Sequence, residues 1–149
     1  MTPFSDTDAP SLLRRLGAAL YDTLLLAALL MLASFLYVPL VDQALAPPFN
    51  RAIYQLYLLA ISLAYFFWFW VHGGQTLGLR TWRLRLVARD GGAVTWMQAV
   101  RRFLAAIVSW LCLGLGFLWV LVDREKLAWH DRFSGTRLIL LPKIPRSSP

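Results

Sequence analysis

From Leu16 to Val41 the chain carries one charge, Asp22, and the nineteen residues from Thr23 to Val41 carry none. A run of this length folds as a membrane-crossing helix. About twenty apolar residues at 1.5 Å each span the hydrocarbon core, and lipid offers no partner for an open backbone. Two further runs follow, Ala52 to Val71 and Phe103 to Val122, each of 20 residues without a charge. With 58% of 149 residues hydrophobic and 15% charged, the chain is more apolar than a soluble domain of this size requires. The expected fold is an all-α integral membrane protein: two long transmembrane helices and a third hydrophobic segment in one domain over residues 11–141. Residues 1–10 and 142–149 are expected to be flexible ends. The first run is too long for a signal-peptide core and no small-residue cleavage site closes it, so it is expected to be retained. Cys112 is the sole cysteine, which excludes an intramolecular disulfide and a cysteine-rich metal site and leaves a packing role.

Charge placement sets the expected orientation. Between His72 and Arg102 stand Arg80, Arg83, Arg85, Arg89, Arg101 and Arg102 against a lone Asp90, whereas the connection Asp42 to Arg51 is balanced. The basic loop, with Arg14 and Arg15 before the first span, is therefore expected on the cytoplasmic side. The stretch after Val122 is also basic, yet a straight third helix would deliver it to the opposite side. Gly114 and Gly116 weaken that helix just past its middle. The expectation is a bent or re-entrant hairpin, Phe103 to Leu113 and Phe117 to Asp123; a continuous helix with an external basic tail is the alternative.

Between the second and third segments the pattern changes period. Trp82 to Val87 alternates, Asp90-Gly91-Gly92 supplies a turn, and Thr95 with Gln98 has capping-box spacing that predicts a helix start. Thr136 to Leu141 is a second strand candidate, so a short cytoplasmic β-ribbon is predicted, lying as a flap over the helices. The glycine-rich stretch Gly73 to Gly78 lacks the Gly-Lys-Ser/Thr ending of a phosphate loop and is expected to be a sharp helix exit. Arg80, Trp82, Arg83 and Arg85, beside a bilayer, suit anionic lipid headgroups rather than nucleic acid. Trp82, Trp96, Trp129 and the aromatic run Tyr65 to Trp70 are expected to anchor at the interface.

An acid within a span requires a partner or a watery path. Asp22 shares a helix face with Arg15, but seven residues separate them by about 10 Å along the axis, so a direct bond would be stretched. Ala18 and Ala19 lie beside it and let another element approach closely. Asp22 is thus expected to point inward, with Arg101 and Arg102 as its candidate cation partners. Two readings compete: a proton or cation carrier, and an ion pair or helix cap holding two segments in register. Asp131 is expected to close a charge network with Arg15 or Arg80. His130 adjoins it, but the other histidine, His72, is 58 residues earlier, so no metal, no cofactor and no enzymatic activity is expected. Catalysis would gain support only if Asp22, Asp131 and His130 met in one water-accessible cleft.

Three stretches together resemble the RDD family of bacterial integral membrane proteins, named for one arginine and two aspartates. They are Arg15 to Asp22, Gly74 to Arg80 with Arg85 to Gly92, and His130 to Thr136. The resemblance covers roughly Arg14 to Leu141. It places the family arginine on Arg15, with Arg14 the adjacent alternative, and the aspartates on Asp22 and Asp131. It implies a multi-pass protein of the bacterial cytoplasmic membrane and a role in transport of unidentified ligands. Three short segments enclose little space, so a homo-oligomer or a membrane protein partner is expected beside the lipid bilayer. The function expected is transport of ions or small ligands with Asp22 as carrier. The alternative is a non-transporting adaptor that binds a partner and anionic lipid through its basic face.

Overall fold

The computed structural model describes residues 9–41 and 47–142. The first two apolar runs form long helices, α1 (Leu12–Val41) and α2 (Pro47–Val71). Both are long and apolar enough to cross a membrane. They pack on each other, and at one end polar groups reinforce the contact. Tyr37 Oη donates to Asn50 Oδ1 at 3.0 Å and Tyr54 Oη to Ser34 Oγ at 2.6 Å. The Tyr37 ring lies 5.1 and 5.2 Å from those of Tyr54 and Tyr57. In lipid, where apolar burial gives no drive between helices, such packing and hydrogen bonding hold them together.

After α2 the glycine-rich stretch turns the chain into a short helix, α3 (Leu77–Thr81), capped by Thr76, whose Oγ accepts from Leu79 N at 3.2 Å. Gly78 lets α3 press on α1: a Cβ there would lie 2.3 Å from the Ala18 carbonyl oxygen. Ala18, 1% exposed, is thus covered by α3. Strand β1 (Leu84–Ala88) follows and pairs antiparallel with β2 (Thr136–Leu140), Leu84 opposite Leu140 and Leu86 opposite Leu138. This is the predicted ribbon with one difference. Leu84, Leu86 and Leu138 are buried in the core with Ala18, Trp70, Leu79, Val94 and Ala99, so the ribbon is a wall of the core rather than a flap over it.

Helix α4 (Trp96–Leu111) begins with the predicted capping box: Gln98 N donates to Thr95 Oγ at 3.3 Å, and Thr95 N donates to Gln98 Oε1 at 2.9 Å. The third segment does not continue straight. The chain bends by 108° between Leu111 and Leu115, then forms α5 (Leu115–Leu118) and a 3-10 turn (Trp119–Leu121). Gly114, at φ +78°, makes the turn. The break falls at 112–114, slightly earlier than the Gly114 and Gly116 positions suggest.

Helix α6 (Trp129–Ser134) follows and packs against α4. Beyond the bend the chain runs back along α4. Gly116 lies against Ser109, Asp131 against Arg102, and Gln98 Nε2 donates to Gly135 O at 3.4 Å. The bent pair therefore replaces the straight helix that was the alternative. Of the ends expected to be flexible, residues 1–8 and 143–149 lie outside the described residues, as does most of the balanced connection before Arg51.

Candidate functional site

Asp131 sits at the third residue of α6, 0% exposed, where its carboxylate accepts from the Ala128 backbone N–H at 3.1 Å and so caps its own helix. Two guanidiniums complete its shell. Arg15 of α1 reaches Oδ2 at 2.7 Å and Arg102 of α4 reaches Oδ1 at 2.5 Å. Arg15 also donates to the carbonyls of Lys126 at 2.9 Å and Pro10 at 3.3 Å, and Arg102 to Thr136 Oγ1 at 2.9 Å. The Arg102 guanidinium lies 5.4 Å from the centre of the Trp70 ring, a cation–π contact. One carboxylate thus clasps α1, α4 and α6.

Burial alone would raise the Asp131 pKa. The Arg102 and Arg15 guanidiniums overcome that and hold it well below the usual carboxylate range. His130, whose ring faces Phe117 at 4.7 Å, is pushed down to about 3 by burial and by the charge of Arg102. It is neutral at ordinary pH. Two guanidiniums and one carboxylate leave the clasp with one positive charge in excess.

Asp22 is 6% exposed and its surroundings are of another kind. Tyr65 Oη of α2 donates to Oδ1 at 2.9 Å, the Gly78 backbone N–H donates to the same oxygen at 2.9 Å, and the Thr76 hydroxyl donates to Oδ2. Among the described residues no cation pairs with it. Arg102 serves Asp131 instead, and Arg101, one residue earlier on α4, falls on the exposed side of the helix. The expectation that these two arginines neutralise Asp22 is therefore corrected. A 100° step per residue places adjacent side chains on different faces, so only one of the pair can turn inward.

Arg80, the alternative partner of Asp131, is exposed and does not enter the clasp. In the group expected at lipid headgroups, Arg85 is exposed and donates through Nε to Gly73 O at 3.1 Å, and Arg83 is half-buried. Trp82 lays its ring against Gly17 of α1. The aromatic run expected as an interfacial belt is divided: Trp68 is exposed, whereas Trp70 is buried in the core and Tyr65 serves Asp22.

Tyr65, Thr76, Trp70 and the carbonyl of Lys126 are site groups that sequence reasoning missed. Thr76 had a usable signal, since a hydroxyl residue before a short apolar helix is a cap and a cap lies near an anion site. Nothing in the pattern separates Tyr65 from its aromatic neighbours.

A cavity of about 390 Å³ opens between α1, α2, α4 and α5. Its walls are mostly apolar, and Arg15, Asp22, Arg102 and His130 face it, while Asp131 stays behind the two arginines. Asp22 and His130 thus share one cleft, but Asp131, fully enclosed, does not. No group of three or more metal-ligating side chains occurs among the described residues.

The sequence model of the RDD family matches residues 9–135. No curated protein and no solved structure matches the chain.

Proposed function

This chain belongs to the RDD family, and from that premise we propose that it is a membrane protein taking part in transport of an ion or small ligand, with Asp22 as the intramembrane carrier. The observation that carries the reading is the shell of Asp22. A carboxylate on the wall of a cavity between apolar helices is held only by neutral donors, Tyr65, Thr76 and Gly78. A carboxylate locked to an arginine cannot take up a proton without breaking an ion pair, as Asp131 illustrates. Asp22 has no such lock, and its second oxygen accepts from a single hydroxyl. Protonation or a small cation would neutralise it in place.

In this reading the basic stretch from Arg80 to Arg102 and the N-terminus face the cytoplasm, and the protein resides in a bacterial cytoplasmic membrane as a multi-pass protein. A second copy or a partner protein completes the pathway, because one chain encloses only a short cavity. Purified protein in liposomes tests this. Native protein is expected to move protons or monovalent cations, and Asp22→Asn, which keeps the size but loses the charge, to reduce the flux at least about tenfold. Flux that survives the substitution overturns the carrier role.

One observation favours a second reading. The three donors to Asp22 come from α2, the turn after it and α3, which is how a clamp holding α1 in register would be built. The protein would then be an adaptor that binds a partner and anionic lipid through its basic face. Absence of any flux from the native protein would support it.

A further inference from the structure

The clasp is overbalanced. Arg15 and Arg102 share one carboxylate, and both line the cavity. Arg102 Nε is buried and has no hydrogen-bond partner, although the side chain is only 6% exposed. His130 Nδ1, on a side chain 7% exposed that also lines the cavity, is likewise unpartnered. Buried donors are seldom left unmade, and among the described residues Arg15 and Arg102 have only one carboxylate between them within ion-pair distance, which leaves room for a local anion at that end of the cavity. The rest of the cavity is apolar, walled by Leu26, Leu59, Phe66, Ile107, Trp110 and Phe117. Its volume of about 390 Å³ falls in the range of ligand sites. Trp110, which lines it, is 68% exposed in the second half of α4, where Leu104, Ile107, Val108 and Leu111 are exposed and apolar too, so that side of the cavity suits hydrocarbon rather than water.

We infer that this cavity binds an anionic membrane lipid, its phosphate at the Arg102 and Arg15 end and one acyl chain along the apolar walls. The phosphate supplies the acceptor that Arg102 Nε lacks and balances the clasp's extra charge through a charge-assisted hydrogen bond. The chain fills space between helices that no side chain occupies. Asp22 lies on the same cavity two helical turns along α1 from Arg15, so the phosphate is placed at the arginine end, away from that carboxylate. The site is distinct from the exposed Arg80 and Arg85, which would hold a headgroup at the surface without a buried tail.

Native mass spectrometry of the full-length protein, released from micelles containing equal phosphatidylglycerol and phosphatidylcholine, reads the binding directly. The expected result is retention of one phosphatidylglycerol in about tenfold preference over phosphatidylcholine. Arg102→Gln should abolish that preference. Because Arg102→Gln also weakens the clasp, Ala106→Trp, which fills the cavity and leaves every charge in place, is the second variant and should abolish retention equally. Glycerol phosphate, a head without a tail, should not displace the lipid.

Equal retention of the two lipids overturns the proposal, as does retention undiminished in Ala106→Trp or displacement by glycerol phosphate. Loss of preference in the Arg80→Gln, Arg85→Gln double variant with retention in Ala106→Trp would place the lipid on the surface and overturn it too. Lipid retention is read without any flux, so a native protein that keeps phosphatidylglycerol but moves no ion fails the transport reading alone.

Discussion

Two aspartates are buried in this protein and they are held in opposite ways. Asp131 is enclosed by two guanidiniums and a backbone N–H, whereas Asp22 is met only by a phenol, a threonine hydroxyl and a backbone N–H. The first arrangement fixes a charge permanently, since neutralising the carboxylate would strand two arginines. The second holds its carboxylate without any counter-charge among the described residues, so removing that charge strands no buried cation. Burial alone therefore does not distinguish the two acids; the make-up of their shells does.

The sharpest way to break this comparison is to remove the charge from Asp131. Asp131→Asn leaves Arg15 and Arg102 buried with no counter-charge and should lower stability by about 3–5 kcal/mol. Equilibrium unfolding in detergent measures it. A loss under about 1 kcal/mol would mean that the clasp is solvated and that the two aspartates do not differ in kind.

Acid sharpens it next, through His130. In the unfolded chain this histidine takes a proton near its ordinary value of 6.5, whereas in the folded protein it resists protonation down to about 3. The unfolded state therefore binds more protons across that window, and stability falls as pH is lowered through it. From about pH 7 to pH 5 the loss should be roughly 2 kcal/mol. Asp131, its pKa depressed, adds a further loss in the same direction only below the ordinary carboxylate range. His130→Gln should flatten the unfolding midpoint between pH 7 and 5; an unchanged acid slope would mean that another group controls it.

The smallest effect is expected at Asp22. Asp22→Asn keeps an acceptor for Tyr65 and Gly78, and the Thr76 hydroxyl can reverse its role, so stability should drop by only about 1 kcal/mol. The same unfolding measurement decides. A loss matching that of Asp131→Asn would make Asp22 a structural clamp and count against its role as a carrier.

Much of this architecture was legible along the chain because it depends on local properties. The apolar length of Leu16 to Val41 and Ala52 to Val71 suffices for two helices that can cross a membrane. Thr95 and Gln98 carry their capping box in their spacing, and Gly114 and Gly116 marked where the third segment could bend, although a continuous helix stayed open as the alternative. Alternation in Trp82 to Val87, with Thr136 to Leu141 as a second strand candidate, pointed to the ribbon, though not to its leucines being core.

Pairing was not legible in the same way. Arg101 and Arg102 are alike as neighbours in sequence, and only the rotation of α4 decides that Arg102 faces inward and meets Asp131, 29 residues on, rather than Asp22. Tyr65 reaches Asp22 across 43 residues because α2 packs beside α1, and Arg15 reaches Asp131 across 116 because the chain doubles back along α4. Hydrophobic length, capping and short-range alternation are settled within a few residues, so residue order determined the two apolar spans, the start of α4 and the strand candidates, while the bend of the third segment was decided by packing. Which base neutralises which acid is settled by distances between elements, and those existed only once the helices had packed.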